Sequence, residues 1–70
     1  MPNFYVNRNE QPDGFHEVHV DDGSCTHPPE FANRFPLGWH ANCATAVAAA
    51  RRIFLKSDGC YYCSNACHTR

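Results

Sequence analysis

The chain has no apolar run long enough to cross a bilayer, no strong excess of either charge, and one methionine and one tryptophan in 70 residues. The uncharged stretch from Trp39 to Ala50 is dominated by alanine, too short and too weakly apolar to span a membrane. Six Lys and Arg stand against seven Asp and Glu, for a net charge of −1. That balance lacks the basic stripe of a nucleic-acid binder, since Arg51, Arg52, Lys56 and Arg70 form only a modest group. No charged segment leads into an apolar stretch after Met1, which sets an expectation of no signal peptide and a cytoplasmic protein. Internal repeats and low-complexity tracts are missing too. Length alone leaves room for one domain, residues 1–70, with a thin core. Below roughly 70–80 residues such a core seldom supplies more than about 3–5 kcal/mol, so a metal or disulfides usually supplement it.

What is present is cysteine, five in number and therefore odd. Residues 60–68 read Cys60-Tyr-Tyr-Cys63-Ser-Asn-Ala-Cys67-His68, four soft ligands at the end of the chain. Dense cysteine in a reduced compartment points to metal, and in an oxidising one to disulfides. Sequence alone leaves that choice open.

The remaining pattern is that of an α+β domain. Phe4-Tyr5-Val6 reads as a short strand, Asn7 to Gly14 as a polar turn, and Phe15 to Val20 as a second, alternating strand. Alternation sets His16, Val18 and Val20 on one face and Phe15, Glu17 and His19 on the other. Asp21 to Ser24 is a turn that delivers Cys25. Thr26 to Pro36 holds Pro28-Pro29 and reads as an irregular loop pinned by Phe31 and Phe35. Phe35 to Trp39 suits a third short strand. Asn42 is an N-cap for an Ala-rich helix over 42–55, with Cys43, Val47, Ala50 and Phe54 on its inward stripe, Ala46 and Ile53 beside them, and Thr45, Ala48 and Arg52 outward. Ser57-Asp58-Gly59 turns the chain into a C-terminal Cys-rich knuckle. The expected fold is a small antiparallel sheet of two to three strands packed on one helix.

Zinc takes four thiolate or imidazole ligands in a tetrahedron, and a C-x2-C turn aims two sulfurs at one ion. Cys60 and Cys63 have that spacing. A second pair must come from elsewhere, and the hairpin end offers His19 and Cys25. The expected ligands are His19, Cys25, Cys60 and Cys63, with Cys67 or His68 as an alternative fourth and His16 behind them. Cys43 lies on the helix stripe, where core packing competes with a bridge or a ligand role. Setting it aside, Cys25, Cys60, Cys63 and Cys67 form either a four-thiolate site or two disulfides. Tyr61, Tyr62 and Trp39 are expected to cover the core, and His27 and His40 to lie at the surface.

This order of elements resembles the small zinc-binding domain at the N-terminus of the bacterial DNA-repair protein Ada, where two ligands come from a hairpin turn and two from a C-x2-C after the helix. The resemblance implies His19, Cys25, Cys60 and Cys63 as ligands. The first pair here is spaced x5 rather than x3, Tyr61 and Tyr62 replace basic residues, and Cys67 is additional. The pattern HEVH, Cys, LG, an Ala-rich helix and GC-x2-C-x3-CH is also similar to short bacterial Cys/His proteins.

The function expected from these features is a structural-zinc module, a monomer that binds an unknown protein partner without catalysis, nucleic acid and membrane being disfavoured. A disulfide-stabilised binding protein is the alternative. A thiol redox protein built on Cys60 and Cys63 ranks lower, because no helix of useful length follows the pair to lower its thiol pKa. Acid–base pairing of Glu17 with its strand neighbours ranks lower still, because adjacent strand residues face opposite ways.

Overall fold

The computed structural model of the chain describes residues 2–69. β1 (Asn3–Asn7) and β2 (His16–Val20) pair antiparallel, with Tyr5 opposite His19 and Val6 opposite Val18. β3 (Arg34–Trp39) lies antiparallel along the other side of β1, with a register shift at Phe4/Tyr5. Pro36 is accommodated there because β3 is an edge strand, where a missing N–H breaks no interior ladder. β4 (Ser57–Gly59) runs parallel to β2 and completes the order β3-β1-β2-β4.

The α+β class is as expected, but the sheet has four strands rather than two to three and is mixed rather than antiparallel. The added strand comes from Ser57-Asp58-Gly59, read from sequence as a turn. All three residues are buried, and their polarity conceals the role: Asp58 is satisfied by Thr69 and the Ser57 hydroxyl donates to the Phe54 carbonyl.

α1 (Cys43–Arg51) crosses one face of the sheet between β3 and β4. Asn42 caps it as expected, its side-chain oxygen accepting from the Ala44 and Thr45 amides. The helix is four residues shorter at its C-terminus than the expected 42–55. Arg52 and Ile53 donate three residues back, to Ala49 and Ala50, so the chain tightens and leaves the helix. Lys56 then supplies the carbonyl that accepts the His16 amide and starts the β2–β4 ladder. Early termination leaves Ile53 outside the inward stripe and exposed, while Phe54 still folds back onto the core. Thr45, Ala48 and Arg52 do face outward.

Phe4, Val6 and Val18 of the sheet meet Ala46, Val47 and Ala50 of α1 to form the core, flanked by Val20, Phe35 and Leu37. Phe31, Trp39, Tyr61 and Tyr62 are exposed, contrary to the expected pinning and core-covering roles. The helix is Ala-rich and short, so the core it closes is too small to use four large aromatic groups.

Candidate metal centre

Period-two alternation decides what the opposite sheet face carries. Because Phe4, Val6 and Val18 point to α1, Tyr5 and His19 point away from it. Their rings stack across the strand pair at 5.3 Å, and both residues are buried. The turn after β2 brings Cys25 back over His19, and the turn after β4 brings Cys60 and Cys63 to the same place.

The result is one cluster. The ligand atoms of His19, Cys25, Cys60 and Cys63 all lie within 4.8 Å of one another. Cys25 Sγ is 3.4 Å from His19 Nδ1 and 3.8 Å from Cys60 Sγ, and Cys63 Sγ is 3.5 Å from His19 Nδ1. The Tyr62 amide points at Cys60 Sγ from 3.4 Å, the N–H···S contact that a C-x2-C turn provides. Such a group, three sulfurs and one ring nitrogen without an oxygen, has the chemistry of a soft-metal site.

Electrostatics suit the same conclusion. Burial, with the Arg34 charge behind it, holds His19 down to about 4, so the neutral imidazole that can ligate is the resident form. Burial pushes the Cys63 thiol up to about 12, and burial also raises Cys60. Neighbouring sulfurs in so small a volume cannot all ionise unaided. A bound cation would supply the charge that makes thiolates stable there. Tyr5, lifted to about 12 by burial against an opposing pull from Arg34, stays a neutral phenol beside them. His19 Nε2 has no hydrogen-bond partner among the described residues, so the polar work of this ring is directed through Nδ1.

Cys67 and His68, the alternative fourth ligands, are engaged elsewhere. Cys67 forms a disulfide with Cys43, their Cα atoms 6.2 Å apart, tying the chain end to the first turn of α1. His68 Nδ1 donates to the Gly59 carbonyl at 3.0 Å and lies 3.8 Å from Asp58. His16 is also occupied, stacked on Phe54 and bonded to the Asn7 carbonyl. His40 and His27 lie at the surface side of their loops, His27 stacked on Tyr62. The odd cysteine count thus resolves as two plus three: one bridge, with Cys25, Cys60 and Cys63 free. Core packing and bridging, set as rivals for Cys43, are both true of it.

Sequence reasoning assigned no role to Tyr5, Arg34 or Asp58. Tyr5 alone carried a signal, since its position between two core residues places it on the face of His19. Comparison with protein-family models, curated proteins and solved structures found no match to this chain.

Proposed function

We propose that His19, Cys25, Cys60 and Cys63 bind one zinc ion in a closed structural site, and that the protein is a small binding module without catalysis. The observation that carries this reading is metric. Bonds of about 2.3 Å to sulfur and about 2.0 Å to nitrogen give a tetrahedron with S···S edges near ~3.8 Å and S···N edges near ~3.5 Å. Three of the six separations, at 3.8, 3.4 and 3.5 Å, fall on those edges, and all six lie within 4.8 Å. Four protein ligands fill the coordination shell and leave no open position for substrate, which favours a structural role over metal catalysis.

The metal has a mechanical task. It joins the end of β2, the following turn and the chain after β4, on the face of the sheet that α1 does not cover. The disulfide joins α1 to the chain end on the other side. One domain therefore has two staples, which merges the zinc and disulfide readings. A redox role for Cys60 and Cys63 is disfavoured because burial raises both thiols, the reverse of what an attacking thiolate needs. Thiolate ligation suits the expected cytoplasmic setting, whereas the bridge suits an oxidising one.

Native mass spectrometry of the purified protein tests the reading. One zinc per chain is expected, together with a mass about 2 Da below that of the all-thiol chain, from one bridge. A folded protein with no metal would sink it.

A further inference from the structure

The sheet face that carries the metal cluster also carries a cleft that the zinc reading does not use. Two adjoining hollows, of about 70 and 240 Å³, share Tyr5, Asp21 and Arg34 as walls. The smaller reaches inward to Cys25, and the larger is bounded by Phe31 and Pro36.

Tyr5 is 3% exposed and forms a wall of both hollows. A phenol that lines a cleft can donate to or accept from a polar ligand there. Arg34 is held in one plane. Its Nε and Nη2 both donate to the Pro29 carbonyl, at 3.2 and 3.1 Å, and its guanidinium lies 4.8 Å from the Tyr5 ring and 5.7 Å from the Phe31 ring. Both Nη1 hydrogens and one on Nη2 are left without an acceptor among the described residues. An immobilised guanidinium with free N–H groups is a receptor for a carboxylate or phosphate, and its fixed position reduces the ordering cost of binding.

The other walls choose between these anions. Asp21 repels a polyanion and accepts an N–H. Phe31, 84% exposed, and Pro36 offer an apolar wall. The larger hollow is close to the size of one amino-acid residue and below that of drug-sized pockets.

We propose that this cleft binds an α-carboxylate attached to an apolar side chain, as borne by a free amino acid or by the last residue of a peptide. The carboxylate pairs with Arg34 and the Tyr5 hydroxyl, the adjoining N–H with Asp21, and the side chain packs on Phe31 and Pro36. The proposal rests on the binding-module reading, and Cys25, which lines the smaller hollow, is where the cleft meets the metal cluster.

The test is an NMR titration of the zinc-loaded protein, with zinc content measured in the same sample, against leucine, N-acetyl-leucine, leucinamide and a short single-stranded oligonucleotide. Leucine and N-acetyl-leucine should shift the cleft residues and approach saturation by about 10 mM, while leucinamide, lacking the carboxylate, should not. Tighter binding of leucine identifies a free amino acid, and tighter binding of N-acetyl-leucine a peptide terminus. Arg34→Lys, which keeps the charge but loses the fork, should weaken binding about tenfold. Phe31→Ala alters a side chain that the fold does not bury, so it keeps the test valid if Arg34→Lys disturbs the loop. It should weaken binding severalfold, and Leu55→Ala, at another exposed site, should not. Absence of shifts with either carboxylate, equal binding of leucinamide, or preferential binding of the oligonucleotide would overturn the proposal. One zinc without leucine binding defeats the cleft alone, and leucine binding without zinc defeats the metal reading alone.

Discussion

Gly59 and Cys67 pack backbone to backbone: a β-carbon built on Gly59 would lie 2.8 Å from the Cys67 carbonyl carbon and 2.5 Å from the Ser64 carbonyl oxygen. This contact sits between the two staples. Gly59 immediately precedes the Cys60–Cys63 turn of the candidate metal cluster, and Cys67 carries the disulfide to α1. The approach requires glycine for space and not for backbone dihedral freedom.

Gly59→Ala is accordingly expected to be among the most damaging single-methyl additions in the chain. The intruding carbon meets backbone atoms, which cannot swing aside as a side-chain end could. Overpacking of this kind destabilises by about 1–3 kcal/mol, and backbone contact places this site at the upper end. Urea denaturation of the zinc-loaded protein measures it. A midpoint equal to that of the parent protein would refute the packing argument.

Removing the metal should unfold the domain. The core contains Phe4 and five small to medium side chains besides its flanking residues, which for this length is marginal. Structural zinc contributes an apparent ~10–16 kcal/mol in peptides that fold on metal, far more than such a core provides. Circular dichroism during addition of a chelator should show loss of the folded signal, restored by zinc. Cys60→Ser and His19→Ala should each show the unfolded signal at the start. A chelated protein that keeps its spectrum would place folding in the core and the bridge instead.

Reduction should act more weakly. The bridge closes a loop with a sequence separation of 24, for which the chain-entropy model gives about 3.5 kcal/mol. Cys43→Ala combined with Cys67→Ala should therefore lower the denaturation midpoint while leaving one zinc per chain. This pair separates the two staples experimentally, because the metal ligands are untouched. Loss of zinc in the double variant would show that Cys67 or Cys43 belongs to the metal site.

What the sequence revealed, and what it hid, follows from the physics of each element. β1, β2 and the start of α1 were legible because alternation and an Asn cap are local signals, and they fix which face His19 occupies. The convergence of His19, Cys25, Cys60 and Cys63 was legible as an expectation because a C-x2-C needs a second pair and the hairpin end offered one. β4 was not legible: Ser, Asp and Gly are turn residues by propensity, and only tertiary burial makes a strand of them. The end of α1 was misplaced for the same reason, since the β2–β4 ladder and not helix propensity decides where the chain leaves the helix. The bridge between Cys43 and Cys67 is a long-range pairing with no local signature.

Asp58 gives the last prediction, because it is the residue that sequence patterning hid most completely. It is fully buried, and its carboxylate accepts from the Thr69 amide at 2.8 Å and from the Thr69 hydroxyl at 3.0 Å. Hydrogen bonds to a charged group contribute about 1.5–3 kcal/mol, and leaving their donors unpaired adds a desolvation cost. Asp58→Ala should therefore destabilise the zinc-loaded protein by more than about 2 kcal/mol, and Asp58→Asn by less, because the amide oxygen still accepts. The loss should be local in its first effects. Amide exchange at Thr69 should accelerate in both variants before exchange in β1 changes, since the carboxylate pins the chain end to β4. Equal stability of Asp58→Ala and the parent protein would mean that this buried carboxylate does not hold the C-terminal segment.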